Sequence, residues 1–264
     1  CHNMTVRGKE VEMTFSEWSS IPQFGMGGLV PCQDCHMPLK RTEDGEYYHS
    51  HEFLGVDIDL TKDVDSEQYQ NVETLLQNTL ELEFGGSTDQ DIIRIENSNT
   101  LIIPLTIRSL SGHSFPSGTS FSREAWLETI VTKITNSTSD TLFSSGLIKS
   151  TTESLDLDDP YLLVYTSYLL DENGDTTNSA TDAYDIKRQM LAGLNTDNHI
   201  YTIEDSFSSG MEMHISVKMR FRAFKPSILA ETFLTGNMKF DDCIECNRQP
   251  VFTMAEIETN FIVP

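Results

Sequence analysis

The chain is short of positive charge. Its 264 residues include 18 Lys and Arg against 41 Asp and Glu, a formal net charge of −23. So acidic a surface repels phosphate backbones, which argues against nucleic acid as a partner, and it favours basic partners or screening cations. Long apolar runs are also missing. A membrane-spanning helix needs about 20 consecutive apolar residues, so no transmembrane segment is expected. The opening Cys1-His2-Asn3-Met4 has neither a basic n-region nor an apolar h-region, and the expected reading is a processed chain or a fragment. No internal repeat is evident. With 38% hydrophobic residues there is enough apolar material for a buried core, in one large domain or two modest ones.

Cysteine is scarce, and its placement is informative. The five are Cys1, Cys32, Cys35, Cys243 and Cys246: two C-x-x-C pairs and one left over. Cys32-Gln33-Asp34-Cys35-His36 is the C-x-x-C-H pattern of c-type haem attachment. Thiols three positions apart on a helical turn reach both vinyl groups of one porphyrin. The next residue then offers an imidazole to the iron from the same side. Two other readings compete: a four-thiolate zinc site with Cys243 and Cys246, or a plain Cys32–Cys35 disulfide. The histidine directly after the second cysteine has no role in a four-cysteine zinc site, which favours haem.

Cys1-His2 then reads as the tail of a second C-x-x-C-H whose first residues lie upstream. A lipidated terminal cysteine and an unpaired thiol are the alternatives. If both haems are bis-histidine ligated, four imidazoles are needed, and His2 and His36 supply two. His49 and His51, just downstream of the first motif, lead the candidates for the remainder. His113 follows, in the Gly/Pro-punctuated Gly112-His113-Ser114-Phe115-Pro116-Ser117-Gly118. His199 and His214 read as surface histidines, and Met37 lies too close to His36 to reach the opposite face of its haem.

The stretch Phe15-Ser16-Glu17-Trp18 followed by Val30-Pro31-Cys32-Gln33-Asp34-Cys35-His36-Met37-Pro38 resembles the multihaem cytochromes c. In that family C-x-x-C-H motifs are joined by short helical stretches. His51-Glu52-Phe53-Leu54-Gly55 is similar to the family's His-x-Phe-x-Gly element, whose histidine commonly ligates haem. Gly112 to Gly118, with Arg123 to Glu128 and Ser144-Ser145-Gly146, is similar to a β-rich module on the C-terminal side of such cytochromes. The resemblance implies haem c, with Cys1, His2, Cys32, Cys35, His36, His49, His51 and His113 as candidate attachment and axial-ligand positions. It also implies electron transfer with other haem domains or cytochromes as partners, including self-assembly into a multimer or filament. The expected location is periplasmic, extracellular or at the cell surface. Cys243-Ile244-Glu245-Cys246-Asn247 departs from the pattern, with Asn where the ligating His would stand, and reads as a disulfide.

The expected fold class is mainly β. Residues 1–60 form a small irregular or helical haem-binding segment, 61–90 a connecting helix and strand, and 91–264 an antiparallel, sandwich-like module. A short helix is expected over Thr14–Ser20, stopped by Ile21-Pro22. An amphipathic helix is expected over Asp65–Asn78, with Asp65 and Gln68 as its capping pair, and a strand near Thr79–Phe84. Period-2 alternation predicts strands at Leu101–Leu110 and Met213–Ala223. Further strands are expected at Trp126–Ile134, Leu142–Ile148 and Tyr161–Leu170. Asp171-Glu172-Asn173-Gly174-Asp175 reads as a hairpin turn rather than a calcium loop, and Tyr184–Leu191 as a short helix. Two other functions stay open: a multihaem oxidoreductase for a small inorganic substrate, which needs an open iron position, and a β-sandwich binding or adhesion protein with a single haem.

Overall fold

A computed structural model describes residues 3–22, 30–37, 39–62, 66–86, 92–134 and 139–264. The chain opens with a hairpin, β1 (Met4–Val6) and β2 (Lys9–Glu12), followed by helices α1 (Thr14–Ser20) and α2 (Cys32–His36). A second hairpin, β3 (Leu39–Arg41) and β4 (Tyr47–His49), precedes α3 (Glu67–Gln77). Then come β5 (Leu80–Phe84), β6 (Arg94–Glu96), β7 (Thr100–Ser109), β8 (Glu124–Ile134), β9 (Ser139–Ser145) and β10 (Val164–Leu170). The chain continues through β11 (Thr176–Thr177), β12 (Asp185–Gln189), β13 (Thr196–Glu204) and β14 (Glu212–Arg222), then α4 (Pro226–Phe233), α5 (Ile244–Asn247) and β15 (Phe252–Ile262). None of the described helices is long and apolar enough to cross a membrane.

Two antiparallel sheets enclose the main core. The larger runs β11-β10-β8-β14-β15, with β12 also on β10 and β9 also on β8; the smaller runs β13-β7-β5, with β6 also on β7. The period-2 pattern explains the arrangement. Met213, Ile215, Val217, Met219 and Phe221 of β14 are fully buried on one face, against Leu101, Ile103, Leu105 and Ile107 of β7 within one apolar cluster. Helix α3 closes one side, burying Val72 and Leu76 in the same cluster and packing Tyr69 against Phe252 of β15, the ring centres 4.8 Å apart and the planes tilted by 43°. The expected mainly β, antiparallel class is the observed one.

Several local expectations change. Ser66 caps α3, its Oγ accepting the Tyr69 N–H at 3.4 Å, while Asp65 lies outside the described residues. The predicted helix at Tyr184–Leu191 is strand β12, paired with β10 from Thr166↔Gln189 to Leu170↔Asp185. Ladder bonds to a strand already in place outweigh a faint helical pattern in so polar a segment. Strand β9 begins at Ser139, three residues before the expected Leu142, and the β1–β2 and β3–β4 hairpins have no counterpart in the sequence reading. The 171–175 segment is a turn between β10 and β11. Its Asn173 and Asp175 N–H groups donate to the Asp171 carboxylate, holding that carboxyl below the usual range. His199 is not a plain surface residue: burial lowers its pKa, and its ring meets Tyr201 edge-on at 4.6 Å.

The larger sheet buries a charge cluster. Register places Arg222 of β14 opposite Glu124 of β8, and the guanidinium, fully buried, pairs with that carboxylate at 2.6 Å and 2.8 Å. It also donates to the carbonyls of Thr151 and Glu153. Lys225, at the start of α4, donates to the Ser167 carbonyl at 2.8 Å and lies 4.4 Å from the Tyr168 ring centre. Removing one partner of a buried pair strands the other, so Arg222→Ala costs about 3–5 kcal/mol, read by denaturant unfolding. The apolar double variant Arg222→Met, Glu124→Leu recovers most of that loss. Burial lowers the Lys225 pKa to about 8. Between about pH 8 and 10.4 the unfolded chain therefore keeps a proton that the folded chain has shed. Stability rises with pH across that window, and Lys225→Met abolishes the rise; equal slopes in the two proteins contradict this.

Candidate functional site

Pro31, in extended conformation, starts the single helical turn Cys32–His36, and the Met37 N–H closes it on the Gln33 carbonyl at 2.9 Å. At spacing i, i+3 the two thiols share one side of the turn. Both are exposed at their residues, and neither is bonded to another cysteine. Partial burial, then the charges of Asp34 and Cys32, push the Cys35 thiol pKa up. His36 is gripped by the segment after β4. Its Nδ1 meets the Leu54 carbonyl at 2.5 Å, the Leu54 N–H donates back to the His36 carbonyl, and Phe53 stacks on the imidazole with centres 4.7 Å apart.

These residues form one wall of a cavity of about 390 Å³. Phe15 and Trp18 of α1, Val56, Leu75 at the end of α3, Leu110 and Phe115 supply most of its apolar lining. Phe15 and Phe53 are half exposed, so the space opens to solvent. Across it stands His113. The two imidazole centres are 6.2 Å apart and the ring planes differ by 16°. His113 Nδ1 lies 3.0 Å from the Ser114 carbonyl and 3.2 Å from Ser111 Oγ. With Nδ1 engaged on both rings, Nε2 is the nitrogen each would turn toward a metal.

The loop bearing His113 is tied to the chain between β12 and β13 on one side and to α1 on the other. Phe115 and Leu191 exchange both backbone hydrogen bonds, at 2.7 Å and 2.8 Å, and the Leu194 N–H donates to the Ser111 carbonyl. Gly193 fits flush against it: a Cβ there would come within 2.9 Å of the His113 backbone N and C. From α1, the Glu17 carboxylate accepts from Ser117 Oγ at 2.7 Å and from the Ser114 N–H at 3.3 Å. Burial raises the Glu17 pKa, against the lowering effect of those two bonds.

The structure thus brings Cys32, Cys35, His36 and His113 around one cavity. His49 sits on β4 with its Nδ1 2.7 Å from the Met37 carbonyl, His51 is exposed, and neither lines the cavity. Cys1 and His2 lie outside the described residues. Cys243 and Cys246 are joined in a disulfide buried beside Leu60 and Leu229. With those two sulfurs bonded to each other, a four-thiolate zinc site with Cys32 and Cys35 cannot form. Asn247, in the place of a ligating His, turns its side-chain amide to the Phe240 and Asp241 carbonyls. Sequence reading gave no role to the Phe53-Leu54 clamp or to Gly193. Glu17 carried a signal only as half of the Glu-Trp pair before the cysteine motif.

The donor set and the cavity suit a covalently attached, bis-histidine haem. Two thiols with an adjacent imidazole stand on an apolar wall. The opposite imidazole is close to the ring separation of about 6 Å that two nitrogen ligands on opposite faces of one metal require. The fold, for its part, is multihaem-cytochrome-like. The chain matches the structure of a penta-haem cytochrome c552 from Thermochromatium tepidum with a TM-score of 0.64, at 17% identity, over 99% of this chain and 54% of that one. It therefore spans about half the length of that protein. A second match, the outer membrane decahaem cytochrome OmcA, has a TM-score of 0.17 at 9% identity over 54% of this chain and 21% of that one, too slight to carry an argument. No family model matches the sequence, and no curated protein matches it.

The tight fit at Gly193 yields a stability test. Gly193→Ala forces a methyl group against the His113 backbone and costs about 1–3 kcal/mol. Gly55→Ala, with nothing within 4 Å of the added carbon, is the control; it stays within about 1 kcal/mol of the parent. Chemical denaturation of the two variants compares them directly, and equal stabilities would refute the fit.

Proposed function

We propose that this chain holds a c-type haem between His36 and His113 and serves electron transfer outside the cytoplasm. The observation that carries the reading is the attachment motif Cys32–His36 on the wall of an apolar cavity, faced by a second imidazole 6.2 Å away. Cys32 and Cys35 would hold the porphyrin covalently, with His36 as proximal and His113 as distal ligand. The group, when bound, supplies a one-electron iron couple. The Leu54 carbonyl orients His36 and makes it a more basic ligand. Imidazoles on both sides leave no coordination position for a substrate, which favours a carrier over an oxidoreductase. The half-exposed Phe15 and Phe53 leave the cavity mouth open toward a partner. The multihaem-cytochrome-like fold supports the same reading.

His49 and His51, standing apart from this cavity, are candidates to ligate another haem, either one attached at Cys1-His2 or one belonging to a neighbouring domain or copy. On this reading the partners are other haem domains or cytochromes, including further copies in a multimer or filament. The location is periplasmic, extracellular or at the cell surface, where covalent attachment prevents haem loss and the Cys243–Cys246 disulfide persists.

Intact mass of the purified chain together with a reduced pyridine-haemochrome spectrum tests the attachment. The expected result is covalent haem with a c-type spectrum, lost in the variant Cys32→Ala, Cys35→Ala. Carbon monoxide binding then tests the ligation. The parent site stays inert, His113→Ala opens it, and His49→Ala or His51→Ala leaves it closed. A chain without covalent haem contradicts the whole reading. Avid carbon monoxide binding by the parent would transfer support to the oxidoreductase alternative.

A further inference from the structure

Glu17 is only 8% exposed, in a chain that already carries an excess of negative charge. A buried carboxylate without partners is expensive, so what it contacts matters. Among the described residues, the hydrogen-bond donors to the Glu17 carboxylate lie in the loop that carries His113. Ser117 Oγ donates to it at 2.7 Å, and the Ser114 N–H, next in sequence to His113, donates at 3.3 Å. One turn earlier on the same helix, Thr14 Oγ1 lies 2.7 Å from Ser117 Oγ and accepts the Gly118 N–H at 2.9 Å. Helix α1 therefore binds the loop at three successive points just after His113. On the other side, Gly193 closes against the His113 backbone, so the loop has no room to retreat. The same helix turns Phe15 and Trp18 into the cavity, which couples the cavity wall to the placement of the opposite imidazole.

We infer that Glu17 is the positioning residue for His113: its carboxylate holds the 114–117 backbone so that the imidazole stays within bonding reach of a metal between it and His36. The inference rests on the haem reading above. It goes beyond that reading by assigning the geometry of the distal ligand to a side chain that touches neither the iron nor the imidazole. Partners that bond a ligating histidine directly are worth about 10–100-fold in metal affinity, and Glu17 reaches His113 through one such partner, Ser114. Glu17→Ala should therefore raise the fraction of five-coordinate, carbon monoxide-binding haem by about tenfold or more. Glu17→Gln keeps an acceptor oxygen at the same reach and restores six-coordinate haem. Ser16→Ala, on the same helix but bonded to Asn3, leaves ligation unchanged.

The measurements are the low-spin to high-spin ratio by electron paramagnetic resonance and carbon monoxide titration of the reduced holoprotein, with circular dichroism confirming the fold. If Glu17→Ala does not accumulate as folded holoprotein, Ser117→Ala removes the same 2.7 Å bond from the loop side and takes its place. A folded Glu17→Ala or Ser117→Ala holoprotein as low-spin and as inert to carbon monoxide as the parent overturns the assignment while leaving the haem reading intact. Absence of covalent haem from the parent would instead be the failure of that reading, and it is seen before any variant is made.

Discussion

Between β7 and β8 the chain leaves the core as the segment from Leu110 to Gly118, and most of its backbone N–H groups are claimed. Leu110 donates to the Thr79 carbonyl, Ser111 accepts from Leu194, Phe115 bridges to Leu191, and Gly118 donates to Thr14. Loop backbone held by so many bonds behaves as an extension of the sheets. His113 is thus fixed to the sheets, whereas His36 stands on one helical turn steadied by Phe53 and Leu54. The separation between the two rings depends on how the segment after β4 packs, through Leu54, Val56 and Ile58, against the main core. The candidate site depends on that packing as much as on the motif itself.

Much of this was legible from residue patterns, for identifiable reasons. Helix α1 has the bounds expected from its Pro22 stop, since the residue before a proline resists helical geometry. Strand β14 follows its alternation because one face is fully buried, and a shift of one residue would expose every apolar side chain on it. The attachment motif is local chemistry and needs no tertiary context. The cavity position of His113 does need it: nothing in spacing separates this histidine from His49 or His51 until Phe115 pairs with Leu191. Strand β12 and Gly193 were illegible for the same reason, one defined by its neighbour on β10, the other by a backbone that arrives from far away in sequence.

Charge in this protein is sorted by depth. The surface is strongly acidic, yet the buried ionic cluster carries Arg222 and Lys225 with Glu124. Guanidinium contacts to two carbonyls and the lysine's place over Tyr168 replace the water those cations gave up. The cluster pins β8, β14 and the loop before β10 together at the end of the large sheet where α4 begins. Glu17 is the counterpart beside the cavity, a carboxylate taken out of the acidic surface and held by the neutral donors of Ser114 and Ser117.

The two cavity walls come from widely separated stretches of chain, and that separation has a consequence for how the protein is made. On the proposed haem reading, covalent capture at Cys32 and Cys35 would require only a short, flexible peptide and could take place on an unfolded polypeptide. The opposite imidazole cannot arrive until the long intervening loop has closed and the β module has formed, a step whose entropic cost is met by sheet pairing and core burial. On the proposed haem reading, attachment would come first and distal ligation last. In such a sequence the coordination state of a bound iron would serve as a built-in gauge of folding, separating a finished molecule from one still open to small gases.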